Sequence, residues 1–258
     1  MLLRFTVASV TLAIISGVKG IRPPKLRQLP KFAAGGFIGI FCYMLFFNTG
    51  MVHVESGIGG FIIATVPIFT IILSRILLKE KVGLVCWAGV IVSFGGLVVI
   101  MLSQTAAFEL NTSALLILLA AMCGSGHNII QRGLLKSHTA LETTTYCMIA
   151  ATICMLVFLP GFFRELPGSG LRVNLVVVFL GVFPAAIAYL LWGYALSKAE
   201  KTTHVTVFLY LNPFLASLIA YLWLRETFSI WSFFGGIIII GGMIMTNFTR
   251  KTVTDQNR

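Results

Sequence analysis

The sequence predicts an all-α polytopic membrane protein with about nine transmembrane helices, arranged as an inverted repeat of four plus five helices. Three observations predict this fold: an apolar composition, recurring apolar segments and a repeated motif. Of the 258 residues, 58% are hydrophobic and 10% are charged, whereas an average soluble domain carries roughly 25% charged residues. Backbone polar groups must be paired within lipid, and no alternating ten-residue pattern is present, so the sequence favours helices over a barrel.

Apolar segments of about 20 residues recur along the chain, and each is long enough to cross a hydrocarbon layer of roughly 30 Å as a helix. The predicted spans are 2–18, 31–51, 56–78, 82–102, 111–132, 139–160, 173–197, 203–224 and 228–248. The segments between them are too short to form a soluble domain. The five cysteines all lie within predicted spans and no two have a C-x-x-C spacing, so they are interpreted as reduced packing residues.

The basic residues indicate which loops share a side of the membrane. The net charge is +11, and 15 of the 19 lysines and arginines fall in every second loop, beginning with the loop at 19–31. Cytoplasmic loops carry an excess of such residues, which predicts a multi-pass membrane protein with a cytoplasmic C-terminus. Short basic clusters between apolar spans argue against nucleic-acid binding. Cleavage of the first span as a signal peptide would leave 19–31 outside, against this bias.

The segments "PIFTIILSRILLKE" and "PFLASLIAYLWLRE" reveal a repeat with a constant offset of 146 residues. Without a gap, the offset superposes Pro67 on Pro213 and Glu80 on Glu226, and it matches glycines and aromatic residues across three consecutive spans. The offset carries the third span onto the eighth, an odd number of crossings, so the second copy enters the membrane from the opposite face. Inverted repeats of this kind are typical of secondary transporters.

The repeat defines the predicted domains. Residues 1–103 form a first repeat that lacks its opening helix, 111–249 form the second repeat, and 250–258 form a cytoplasmic tail. Shifted back by 146 residues, the span at 111–132 would lie before Met1. We therefore expect the reading frame upstream of Met1 to encode an apolar segment of about 20 residues. A complete nine-helix protein is the alternative.

Several segments resemble the EamA family of the drug/metabolite transporter superfamily. They are "LLRF" in the first span, "ATVPIFTIILSRILLKE" with "WAGVIVSFGGLVVI", and "YLNPFLASLIAYLWLRE" with "FFGGIIIIGG". The resemblance covers nearly the whole chain and implies a ten-helix inner-membrane carrier, built of two five-helix repeats, that moves small metabolites such as amino acids outward. The departure from the family pattern is the missing first helix.

Two prolines and two glutamates are candidates for hinges and for ion pairs or gates. Pro67 and Pro213 lie near the middle of their spans, where a proline removes a backbone hydrogen bond, so we predict hinges; a static kink that improves packing is the alternative. Glu80 and Glu226 lie at helix ends beside Lys79 and Arg225 and are predicted to form interfacial ion pairs or, alternatively, gates.

The candidate substrate-binding residues are polar and aromatic side chains within the spans. His127 and Gln131 are one helical turn apart with Asn128 beside them, in "GSGHNIIQR". Buried polar groups are costly in hydrocarbon and therefore mark sites, although interhelical hydrogen bonds of about 1 kcal/mol are the simpler explanation. The other candidates are Asn48, Tyr189 and Trp192. The glycines, including Gly35 and Gly39, are interpreted as packing residues.

The inverted repeat with its paired prolines predicts a secondary transporter that works by alternating access. The resemblance to the EamA family implies an exporter of a small metabolite such as an amino acid. The expected partners are a small-molecule substrate and the lipid bilayer, and a homo-oligomer is left open. No H-E-x-x-H or G-x-S-x-G is present, and His127 has no second ligand at metal spacing. We therefore assign no catalytic residue, metal or cofactor. The alternatives are an intramembrane enzyme acting on a lipid-linked substrate and a scaffolding subunit.

Overall fold

The computed structural model describes residues 1–54, 56–102, 112–165, 168, 170–219, 221–222 and 230–254. Within them the α-helices are α1 (Leu2–Lys19), α2 (Leu29–Gly36), α3 (Tyr43–Met51), α4 (Ser56–Ile63), α5 (Val66–Leu77), α6 (Leu84–Leu102), α7 (Thr112–Leu134), α8 (Ala140–Met155), α9 (Leu159–Glu165), α10 (Leu171–Leu180), α11 (Ala188–Lys198), α12 (Thr203–Thr206), α13 (Leu211–Ile219) and α14 (Ile230–Thr254). The described residues contain no strand, which confirms the predicted all-α class.

Eight stretches of the described chain are long and apolar enough to cross a membrane. They are Leu2–Lys19, Leu26–Met51, Ile58–Leu77, Leu84–Met101, Thr112–Leu134, Ala140–Arg164, Leu171–Lys198 and Ile230–Asn247. Each corresponds to one predicted span. The ninth, 203–224, is helical across Thr203–Ile219, and most of the residues after it lie outside the described part. A multi-pass membrane protein is therefore confirmed, whereas the exact count of nine stays a prediction.

Two long spans contain a π-helical segment at equivalent positions of the proposed repeat. The first is Phe37–Cys42, between α2 and α3, and the second is Gly181–Ile187, between α10 and α11. An offset of 146 residues places the two segments within two residues of each other. Pro184 lies in the second segment only, so a proline is not required for the distortion. Single π-helical turns inside α-helices are frequent at functional sites.

The helices that carry the prolines are interrupted just before them. A turn at residues 64–65 separates α4 from α5, and Pro67 lies in the first turn of α5. A 3-10 helix, Val207–Tyr210, separates α12 from α13 and precedes Pro213. A proline has no N–H to donate to the carbonyl four residues earlier and its ring clashes with that carbonyl, so the preceding turn departs from α-helical geometry.

The chain forms two compact units. The first comprises Met1–Met44 and Gly126–Ala199, and the second comprises Leu45–Ser125 and Glu200–Arg258. Each unit therefore combines segments of both predicted repeats.

The first unit has a core in which α1, α2, α8 and the second π-helical segment pack together. Small residues allow this approach: a Cβ on Gly36 would lie 2.8 Å from Ala150 Cβ, and a Cβ on Gly181 would lie 2.8 Å from the Arg4 carbonyl oxygen. Under the constant offset of 146 residues, Arg4 corresponds to Ala150, and Gly35, the neighbour of Gly36, corresponds to Gly181.

Capping interactions fix the ends of α1 and α8. Gly20 ends α1 with a φ of 68°, in the left-handed region that glycine adopts without strain. Thr139 and Glu142 form a capping box at the start of α8. The Glu142 carboxylate also accepts a hydrogen bond from the Arg22 backbone N–H at 3.1 Å. Loops that were predicted to share one side of the membrane therefore meet.

The second unit is centred on two antiparallel helices, α6 and α14. A Cβ on Gly96 would lie 2.6 Å from the Gly235 carbonyl oxygen, and a Cβ on Gly89 would lie 2.6 Å from that of Gly242. Ser93 Oγ donates to the Ile239 carbonyl at 3.2 Å between these contacts. Only glycine permits backbones to approach so closely.

The contacts between α6 and α14 obey the offset of 146 residues. Under the offset, Gly89 corresponds to Gly235 and Gly96 corresponds to Gly242. In the structure the pairing is crossed, because Gly89 contacts Gly242 and Gly96 contacts Gly235. Ser93 contacts its own counterpart, Ile239. This exchange is what a two-fold axis through the Ser93–Ile239 contact would produce, because such an axis turns each helix into its antiparallel partner.

Candidate functional site

Five of the six predicted substrate-binding residues lie in the first unit. His127, Asn128 and Gln131 occupy one side of α7 and are 6%, 4% and 1% exposed. Tyr189 and Trp192 lie on α11 and are partly buried. Hydrogen bonds and ring contacts join all five to neighbouring helices, as described below.

His127 is positioned by the first π-helical segment and the residues before it. Its Nδ1 lies 3.2 Å from the Gly35 carbonyl oxygen, and because a carbonyl only accepts, Nδ1 carries the proton and donates. The imidazole packs directly on Gly39, where a Cβ would overlap the ring. Nε2 is then the acceptor nitrogen, and it is buried without a hydrogen-bond partner among the described residues.

Two aromatic residues of α11 contact the polar side of α7. The Tyr189 ring meets the His127 ring edge-on, with centroids 6.0 Å apart and an interplanar angle of 65°. The indole N–H of Trp192 donates to Asn128 Oδ1 at 2.9 Å. Both side chains of α11 therefore contact α7.

Gln131 extends the cluster by one helical turn. Its Nε2 donates to Thr144 Oγ1 of α8 at 3.4 Å. Gly193 makes room for both groups, because a Cβ there would lie 2.9 Å from each. Gln131 Oε1 is buried and has no hydrogen-bond partner within the described chain. The cluster therefore contains two buried acceptors, His127 Nε2 and Gln131 Oε1, that lack a donor in the described structure.

Tyr43 occupies the position in the first half of the chain that Tyr189 occupies in the second, although it was not among the residues predicted to bind substrate. Tyr43 follows the first π-helical segment and Tyr189 follows the second, and the two are 146 residues apart. Both tyrosines pack against the core of the first unit, which includes Phe5 of α1. The match of Tyr43 with Tyr189 under the offset was the signal that a second tyrosine belonged here.

The other predicted residues lie in the second unit. Asn48 is exposed on α3 and belongs to that unit, so its predicted role in binding stays a prediction. Pro67 is buried and Pro213 is partly buried, and their hinge role is likewise untested. Glu226 lies outside the described residues.

Glu80 forms hydrogen bonds with the residue that precedes α12, and its predicted role as an ion pair or gate stays a prediction. Lys79, which follows α5, adopts a φ of 55°, in the left-handed region. The Glu80 carboxylate accepts hydrogen bonds from the Thr202 backbone N–H at 3.1 Å and from Thr202 Oγ1 at 2.8 Å. A carboxylate at the first turn of a helix satisfies donors that the helix cannot. Glu80 thereby links α5 to the start of α12, between two loops predicted to share the cytoplasmic side.

Comparison with known proteins identifies the family. The model of the EamA-like transporter family matches this chain twice, at residues 1–102 and 111–248. The chain belongs to the EamA-like transporter family. Membership indicates a transporter rather than an enzyme.

Relatives of this EamA-like protein cover nearly the whole chain. A protein of Streptantibioticus cattleyicolor named "Probable terminal-alkyne amino-acid exporter" is 34% identical over 97% of this chain and 83% of its own length. The uncharacterized transporter YdfC of Bacillus subtilis is 31% identical over 95% of this chain and 80% of its own length. An uncharacterized transporter of Archaeoglobus fulgidus is 32% identical, over 93% and 84% respectively.

A solved crystal structure supports the fold of this EamA-like protein. It superposes with a TM-score of 0.79 over 98% of this chain and 87% of the other, at 19% sequence identity. At that identity the likeness concerns the fold alone.

Proposed function

We propose that this EamA-like protein is a secondary transporter that exports a small metabolite, such as an amino acid, by alternating access between two inverted repeats. The observation that carries the proposal is the buried cluster around His127, Asn128 and Gln131. Ionisable and polar groups at membrane depth are costly, and those that face a bundle interior mark substrate pathways. The name of the Streptantibioticus cattleyicolor relative supports an amino acid and outward movement.

Three features support the inverted repeat. The family model matches the chain twice, the π-helical segments recur at equivalent positions, and the glycine contacts of α6 and α14 exchange under the offset of 146 residues. Two similar halves related by an in-plane axis can rock about a site and expose it to either side in turn. The interrupted helices at Pro67 and Pro213 are the proposed hinges.

We expect purified protein in lipid vesicles to release amino acids faster than protein-free vesicles do. The vesicles are loaded with the twenty protein amino acids, and mass spectrometry measures which of them leave. Trp192→Phe removes the indole donor to Asn128 while keeping an aromatic ring, so we expect a several-fold slower release. Trp87→Phe in the second unit is the matched control and should leave the rate unchanged. If the protein releases no amino acid yet alters a lipid, an enzyme replaces the transporter.

The inverted repeat predicts opposite exposure of equivalent positions at the membrane surface. Lys81 and Thr227 are 146 residues apart and directly follow Glu80 and Glu226. We expect Lys81→Cys to react with a membrane-impermeant maleimide only from the cytoplasmic side and Thr227→Cys only from the other side. The unsubstituted protein is the control, because its five cysteines lie within predicted spans. Labelling of both positions from one side would contradict the inverted arrangement.

A further inference from the structure

A cavity with an apolar and a polar part lies in the first unit, where α1 ends, α8 begins and α11 approaches its end. Its volume is about 570 Å³, within the range of about 300–1,000 Å³ that is typical of ligand sites. The apolar lining includes Ile15 of α1 with Leu190 and Leu191 of α11, and the polar lining includes Lys19 and Tyr194. In the described structure, none of the residues predicted to bind substrate lines this cavity.

The polar and apolar parts of the cavity lie at different depths. Lys19 is one helical turn after Ile15 and is the last residue of α1, and Tyr194 is one turn after Leu190 and one turn before the end of α11. Four residues advance a helix by about 6 Å along its axis, so the apolar groups lie deeper in the spans than the polar ones. A phospholipid has the same order, with its head group at the membrane surface and its acyl chains below.

The polar end of the cavity carries positive charge. Lys19 lines it, and Lys198 Nζ lies 5.7 Å from the centroid of the Tyr194 ring, which also lines it. Arg22 is held beside the cavity, because its backbone N–H donates to the carboxylate of Glu142, another lining residue, at 3.1 Å. Lysine and arginine side chains bind phosphate groups through charge-assisted hydrogen bonds.

The carboxylate of Glu142 does not cancel this charge. Glu142 is 7% exposed, and its carboxylate accepts hydrogen bonds from the backbone N–H groups of Thr139 and Arg22 at 2.9 and 3.1 Å. A carboxylate in the first turn of a helix is compensated by the positive end of the helix dipole. The side chains of Lys19, Arg22 and Lys198 therefore favour an anion at this end of the cavity.

The cavity is accessible from the bilayer. Leu191 and Tyr194 are 61% and 57% exposed, and both lie within the candidate span Leu171–Lys198. The loops at this end belong to the set predicted to be cytoplasmic. Anionic lipids are enriched in the cytoplasmic leaflet, and basic pockets between transmembrane helices on that side bind their head groups.

We propose that this cavity binds one anionic phospholipid, whose phosphate is bound by Lys19 and Lys198 and whose acyl chain packs along Ile15, Leu190 and Leu191. The lipid would bridge the ends of α1 and α11, and it would thereby stabilise the helix that carries Tyr189 and Trp192. The proposal does not depend on which substrate is transported, and its tests need no transport measurement.

The first test measures the melting temperature of the purified protein in a neutral detergent. We expect phosphatidylglycerol to raise it by about 3 °C or more above the value with phosphatidylcholine of the same acyl chains, since a ligand of the folded state stabilises that state. Glycerol phosphate, which has the charge without the acyl chains, should have no effect. Equal shifts with the two lipids would overturn the proposal. The same shift with glycerol phosphate would assign the cavity to a free phosphate and would also overturn it.

The second test removes the two lysines. We expect the double variant Lys19→Gln, Lys198→Gln to lose the extra shift with phosphatidylglycerol, and native mass spectrometry to detect several-fold less bound phosphatidylglycerol than on the unsubstituted protein. The matched control is Lys31→Gln, Lys136→Gln, which removes two exposed lysines predicted to lie on the same side but absent from the cavity lining. It should keep both signals.

Two outcomes of the second test would contradict the proposal. One is an unchanged shift and unchanged lipid retention in the Lys19→Gln, Lys198→Gln variant. The other is light scattering that shows phosphatidylglycerol converting a monomer into a dimer, with the shift lost when the protein stays monomeric, because the cavity would then be covered by a second copy of the chain.

Discussion

Gly39→Ala is expected to reduce amino-acid release by at least tenfold, whereas Gly126→Ala leaves it unchanged. A Cβ on Gly39 would overlap the Cβ and the ring of His127, and the Cβ of a side chain cannot rotate away. His127 must therefore move, which breaks its hydrogen bond to the Gly35 carbonyl and its contact with Tyr189. Overpacking a tight interior typically costs about 1–3 kcal/mol, and a tenfold change corresponds to about 1.4 kcal/mol.

Gly126 is a close control because it directly precedes His127 on α7. A Cβ there would meet only Ile38 Cγ2 at 3.7 Å, an ordinary van der Waals distance. Release is measured from vesicles with equal amounts of inserted protein, and thermal stability in detergent is measured in parallel. If Gly39→Ala releases amino acids at the original rate and KM, the position of His127 does not matter for transport, and the candidate site is wrong.

Gly96→Leu is expected to lower the thermal stability of the purified protein by about 5 °C or more, and Gly95→Leu should have little effect. Gly96 faces the Gly235 carbonyl oxygen at the crossing of α6 and α14, so a side chain there forces the two helices apart. A Cβ on the adjacent Gly95 would meet no atom within 4 Å. The two variants add the same apolar side chain to the same helix, and only the direction in which it points differs.

The offset of 146 residues supplies a second pair of glycines for the same measurement. Gly242 is the counterpart of Gly96 and contacts the Gly89 carbonyl oxygen, while a Cβ on the adjacent Gly241 would meet no atom within 4 Å. We expect Gly242→Leu to destabilise the protein as Gly96→Leu does, and Gly241→Leu to resemble Gly95→Leu. Equal melting temperatures for the members of either pair would show that this crossing does not limit stability.

Much of the fold could be predicted because transfer into lipid depends on local composition. Apolar runs of about 20 residues identify the spans, and eight of the nine predicted segments are long, apolar helices in the described structure. The capping box at Thr139 and Glu142 was not predicted, although both partners lie within one helical turn of each other. The resemblance to the EamA family could be recognised from short segments of the sequence, and the family model confirms it over nearly the whole chain.

The glycines illustrate what local reasoning missed. Gly35 and Gly39 have the G-x-x-x-G spacing and were interpreted as packing residues, yet Gly35 binds the His127 imidazole through its carbonyl and Gly39 makes room for it. Glycine spacing predicts that something approaches closely. It does not predict what approaches, because the partner is 88 or more residues away in sequence.

By itself the sequence determined the helical membrane class, the family and the polar residues His127, Asn128 and Gln131 as candidates. Only the tertiary structure decided their partners: Trp192 for Asn128, Thr144 for Gln131, and Thr202 for Glu80. It also packed Tyr43 and Tyr189 against one core and assigned Asn48 to the other unit. The physical reason is that hydrophobicity and capping act within a few residues, whereas a buried hydrogen bond depends on which distant helices pack together.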